Sequence, residues 1–113
     1  MEVFTYPKEH LDPDVFILPI KMRKSELAIF LDKEWELIRR EIYTNKALYE
    51  KLVDARYKLN SKVLSPAQVA ILFTAYKPPL TTPENLILYR NIKKRNFLEL
   101  AHELAVLGIL VAA

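Results

Sequence analysis

A chain of 113 residues is enough for one folded domain with one core, and its 51% hydrophobic and 27% charged side chains are those of an ordinary folded protein. Cysteine is absent, which excludes disulfides, thiolate metal sites and a cysteine nucleophile. The net charge of +3 is unevenly spread: residues 1–43 carry seven Lys/Arg and nine Asp/Glu, residues 44–113 ten and five, so a polyanionic partner would suit the second half.

Residues 1–24 read as an extended arm. Asp12-Pro13 favours a turn, because proline fixes φ and restricts the residue before it. "VFILPIKM" (15–22) then reads as extended, and Pro19 cannot donate a ladder hydrogen bond, so a strand here is an edge strand. Such an arm either covers apolar helix surface or pairs across a dimer.

The spacing predicts a helix over 25–43, with Ser25 as its cap and Glu26 at the positive end of its dipole. Leu27, Leu31, Trp35, Ile38 and Ile42 make one continuous face, and Glu36–Arg40 is an i,i+4 pair on another. A second helix over 45–60 begins at Thr44 or Asn45. Leu48, Leu52, Ala55 and Leu59 form its stripe, with Asp54–Lys58 as a surface pair.

"LSPAQV" (64–69) is the clearest local signal. Ser65 caps, Pro66 takes the first helical position, Gln68 reaches back to the cap, and Leu64 with Val69 forms a hydrophobic staple. This third helix, 65–76, is apolar nearly all round and therefore central, and Pro78-Pro79 stop it. A fourth runs over 82–91 with Thr82 as cap and Pro83 at the first position. The fifth, 95–107, has Asn96 as a plausible cap and Phe97, Leu100, Ala101 and Leu104 facing inward. Gly108 closes it in the left-handed conformation, with Leu104 and Ile109 in apolar contact. The expected fold is all-α: a five-helix bundle in a single domain, made of an arm (1–24), two long helices (25–63) and a helix-turn-helix-like trihelical unit (64–113).

No catalytic set emerges. There is no glycine-rich loop. Ser25, Ser61 and Ser65 stand where caps or turns are expected, and His10 and His102 are far apart. Glu34 with Glu41, and Glu99 with Glu103, read as solvated helix faces. The expectation is a protein that is not an enzyme, without metal or cofactor. No apolar run approaches the roughly 18 residues of a membrane span, and "MEVFTYPKEHLDPD" lacks signal-peptide regions, so it is read as cytoplasmic. One glutamine, two methionines and seven prolines lean toward a thermophilic source; five asparagines point the other way.

"RNIKKRN" (90–96) is the stretch that asks for a function. Arg90 suits the C-terminal end of a helix dipole, whereas Lys93, Lys94 and Arg95 precede a helix N-terminus, where cations are mildly unfavourable. A phosphate would want them there.

"PLTTPENLILYRNI" followed by "KKRNFLELAHELAVLGILV" resembles the helix-turn-helix core of MarR-type winged-helix regulators over about residues 65–111. Leu80-Thr81 stands where that family opens its middle helix, and Leu104 through Leu110 where it enters the wing. No second wing strand follows. The resemblance implies a homodimer on double-stranded DNA, with the long helices 25–43 and 45–60 supplying the dimer contact. Helix 95–107 would read the major groove. Arg90, Lys93, Lys94 and Arg95 would meet phosphates or base edges, Asn96 an adenine edge, and Glu99 and His102 would lie on the outward face. The composition is also similar to that of small proteins from viruses and plasmids of hot-spring archaea, which often act on host proteins. The second reading is accordingly a protein-interaction module or inhibitor acting on a nucleic-acid enzyme such as RNA polymerase or a CRISPR effector, with the arm docking along a groove or sheet edge.

Overall fold

The computed structural model describes residues 3–6 and 11–112; His10 lies outside them. In chain order the elements are β1 (Phe4–Tyr6), β2 (Met22–Arg23), α1 (Lys24–Leu31), α2 (Trp35–Thr44), α3 (Lys46–Asp54), β3 (Val63–Leu64), α4 (Pro66–Tyr76), α5 (Pro83–Ile92), α6 (Phe97–Val106) and β4 (Leu110–Ala112). Among the described residues the fold is mixed α/β, six helices with two small sheets, and not the all-α five-helix bundle that periodicity suggests.

The expected helix over 25–43 is two helices. Asp32 adopts the left-handed conformation (φ 53°, ψ 43°) and closes α1, with its own N–H donating to the Ile29 carbonyl and that of Lys33 to Ala28. Aspartate tolerates this conformation better than most residues. The apolar stripe is nonetheless real, since Leu27, Leu31, Ile38 and Ile42 are all buried. A periodic pattern reports which side chains face the core, and the three-residue break at Asp32, Lys33 and Glu34 preserves that. Ser25 does not cap α1. Arg23 holds the cap position, and its N–H donates to Glu26 Oε1 at 2.8 Å. Glu36 pairs with Arg39 at 2.7 Å rather than with Arg40.

The helix expected over 45–60 stops at Asp54. Arg56 turns left-handed (φ 65°), and the Tyr57 N–H closes the end on the Leu52 carbonyl. Lys58 thus lies past the helix and does not pair with Asp54 along it. Leaving the helix sends the Tyr57 ring back toward α1.

The local start signals hold where a side chain meets its own backbone. Asn45 Oδ1 accepts from Leu48 N at 3.2 Å. Ser65 and Gln68 complete their reciprocal pair at 3.3 and 3.0 Å, and Gln68 Nε2 also donates to the Ala55 carbonyl at 3.0 Å. Thr82 caps α5 through Asn85 N, while Asn85 Nδ2 anchors the preceding loop at the Pro79 carbonyl. Gly108 (φ 74°) ends α6, with the Ile109 N–H donating to Leu104.

α4 is central. Val69, Ala70, Ile71, Leu72 and Phe73 are almost wholly buried. Phe73 meets Phe4 and Phe30 at ring-centroid distances of 5.8 and 6.0 Å, and Phe4 also meets Phe16 at 5.3 Å. The arm is therefore part of the core: Phe16, Ile17, Leu18 and Ile20 are buried, and each such side chain contributes about 1.5–3 kcal/mol of transfer free energy. Its two ends form the strands. β2 pairs antiparallel with β3, Met22 opposite Leu64, beyond Pro19 and so without needing its missing N–H. β1 pairs in parallel with β4, Phe4 opposite Leu110 and Thr5 opposite Val111. The strand that follows α6 is thus partnered by the amino-terminal segment. No helix among the described residues is long and apolar enough to cross a membrane.

Candidate functional site

The sequence directs attention to the turn between α5 and α6. Edge-on packing of Tyr89 against Phe97, with centroids 6.3 Å apart, joins the two helices. Burial pushes the Tyr89 phenol up to about 12, and its Oη has no hydrogen-bond partner among the described residues. This contact sets where the turn 93–96 emerges.

The four cations there have different surroundings. Arg90, in the last turn of α5, forms an ion pair with Asp14 of the arm, 76 residues away. Arg95 is held by Glu103, two turns along α6. The Arg95 hydrogen bond keeps the Glu103 carboxyl below its ordinary pKa. Lys93 is half-buried and Lys94 exposed, and among the described residues neither forms an ion pair. Asn96 caps α6: its Oδ1 accepts from Leu98 N at 2.8 Å and Glu99 N at 3.3 Å. That oxygen is the one a bidentate adenine contact uses.

Phe97, Leu100, Ala101 and Leu104 turn inward. Glu99 and His102 face solvent together with Leu98, Glu103, Val106 and Leu107. Val106, Leu107 and Leu98 are 72%, 63% and 61% exposed. His102, Glu103, Val106 and Leu107 line a shallow hollow of about 320 Å³. The outward side of α6 is therefore apolar and acidic over most of its length and basic only at its amino end. Leu98, His102 and Val106 recur every fourth residue, so this second stripe is legible in the sequence, although the stronger inward stripe draws attention from it. The ion pair from Asp14 has no such local signal.

On the other side of the molecule, Tyr43 and Tyr49 pack together at 5.4 Å near the junction of α2 and α3, both exposed. Nearby, Tyr76 donates to Glu41, which also accepts from Lys33 at 3.3 Å, tying α2 to α4. No group of three or more metal-ligating side chains gathers among the described residues. Comparison of the chain with protein-family models, with curated proteins and with solved structures finds no match in any of the three.

Proposed function

We propose that this chain is a protein-interaction module that docks through the outward face of α6. The observation that carries this reading is the character of that face. Leu98, Val106 and Leu107 lie open to solvent, while two of the four nearby arginine and lysine side chains are already held by carboxylates. Exposed apolar side chains at helical spacing suit a helix-in-groove contact. Glu99 beside them would repel a phosphate backbone, and Glu103 is already satisfied by Arg95, so the favoured partner surface is an apolar groove with a cation placed to meet Glu99.

The experiment is quantitative capture of partners from host lysate with the wild-type chain, Val106→Asp and Lys94→Glu. The expected result is one stoichiometric protein retained by wild type and Lys94→Glu and lost by Val106→Asp. Loss that follows Lys94 and spares Val106 would overturn the reading.

A second reading, a dimeric regulator of transcription bound to double-stranded DNA, is supported by Lys93 and Lys94 standing ahead of the α6 amino end, where a phosphate is favoured. The exposed Tyr43–Tyr49 pair would then suit a homodimer contact. This reading predicts duplex affinity that falls steeply with salt and collapses in Lys93→Glu/Lys94→Glu.

A further inference from the structure

A cleft of about 660 Å³ opens between the amino end of α1 and the segment leading into β3, lined by Arg23, Lys24, Ser25, Trp35, Asn60 and Lys62, with Leu59, Ser61 and Val63. Its volume is in the range of small-molecule sites. Three of its lining side chains are cationic and none is a carboxylate. The ion pairs among the described residues involve none of the three.

Lys24 is the unusual member. It is 8% exposed, and its Nζ donates to the Lys58 and Leu59 carbonyls at 3.2 and 3.0 Å. It sits 5.2 Å from the Trp35 ring centroid and 5.0 Å from that of Tyr57. An ammonium has three donors, and these two acceptors are both neutral. Carbonyl dipoles and ring faces moderate a buried charge, but they do not neutralise it. Burial disfavours the charged form of Lys24, and the Arg39 guanidinium, itself paired with Glu36, adds to this; among the described residues, Arg39 Nε and Tyr57 Oη are buried without a hydrogen-bond partner. Glu26, on the first turn of α1, is turned back onto the Arg23 N–H. The α1 amino end adds a partial positive charge to the same space.

We propose that this cleft binds a small phosphorylated molecule, with Lys24 at its base and Arg23 and Lys62 at its mouth. A group carrying two or more negative charges matches three cations better than a single carboxylate does. The cleft has room for a substituent beyond the phosphate, and Ser25, Asn60 and Ser61 offer it hydrogen bonds. This inference is independent of the α6 interface.

Trp35 is the one tryptophan in the chain, so its emission reports on this cleft alone. The test is a titration of the full-length protein with tripolyphosphate, ATP, inorganic phosphate and adenosine, read by Trp35 emission and by calorimetry. The expected result is saturable binding of tripolyphosphate and ATP, with inorganic phosphate weaker and adenosine silent. Tighter binding of ATP than of tripolyphosphate would assign a nucleotide, and the reverse an inorganic polyphosphate. Arg23→Glu/Lys62→Glu, at exposed positions, should keep the fold by circular dichroism and weaken binding at least ~10-fold, from the loss of two charge-assisted contacts. Lys94→Glu, at the α6 turn, should bind as wild type. The proposal is overturned by an unchanged Trp35 signal with no heat of binding, by undiminished affinity in the double reversal, by loss of binding in Lys94→Glu, or by adenosine binding as well as ATP.

Discussion

Arg90 and Arg95 are neighbours in sequence, and each faces a carboxylate, Asp14 or Glu103. Arg23, Lys24 and Lys62 come from two separate segments, and no carboxylate lines the space between them. The most basic stretch of sequence is thus partly compensated, while a second group of cations without a carboxylate forms only when folding brings Lys62 beside Arg23 and Lys24. Charge density along a chain is a one-dimensional quantity, whereas Coulomb interaction depends on distance and burial in three dimensions. At the α6 turn the pairs are exposed and screened, so they alter binding more than stability. At the α1 end the ammonium is buried, so it matters for both.

The contrast can be broken most strongly at Lys24. Lys24→Ala removes two hydrogen bonds and two ring contacts that hold residues 58–59 to α1. It should cost about 2–3 kcal/mol in urea unfolding, and Lys24→Met, which keeps the stem, should cost less. Equal losses in the two variants would show that the stem contributes little and that the ammonium carries the whole effect. Next is Gln68→Ala, which removes half of the α4 capping pair and the bond to Ala55, for about 1–2 kcal/mol by the same measurement. At the other end, Asn96→Ala should cost about 1 kcal/mol by loss of the α6 cap. It should leave Trp35 emission unchanged if the two regions are energetically separate.

Acid offers a smaller perturbation. The hydrogen bond from Tyr76 holds the Glu41 carboxyl below its ordinary value of 4.5. A depressed folded-state pKa stabilises the fold above that ordinary value, and this contribution disappears as pH falls through the folded-state pKa. Thermal melts should therefore lose stability below pH 4.5, and Glu41→Gln should lose less over that interval than wild type. The smallest expected effect on stability is that of Asp14→Asn, which releases the exposed Arg90. The melting temperature should hardly move. If duplex DNA is a ligand, the salt slope of its binding should steepen by roughly 0.9, one extra phosphate contact. An unchanged slope would mean that Arg90 points away from any bound duplex.

The elements most legible in the sequence are those whose signals act within one turn of backbone. Ser65, Pro66 and Gln68 place the start of α4, and Asn96 and Gly108 bracket α6, because a cap is a hydrogen bond between a side chain and its near neighbours. The break at Asp32 was hidden, because Leu31 and Ile38 stay on the buried side whether or not the helix continues. The strands were hidden for another reason. β1 and β4 are three residues each, too short to show alternation, and their partners lie at opposite ends of the chain. Of the candidate site, the cations and the cap at Asn96 were readable. The carboxylate that Arg90 meets lies 76 residues away and leaves no local signal, and the exposed stripe of Leu98 and Val106 is masked by the stronger inward one.

By itself, then, the sequence determined where most helices begin, which side chains are inward, and that thiol chemistry is excluded. Only the tertiary structure decided which helices are broken, that the arm enters the core and pairs with the last strand, and which cations keep an unbalanced charge. The physical division is one of range. Capping and periodicity are settled by contacts a few residues apart, while strand pairing and charge compensation depend on groups that folding alone brings together.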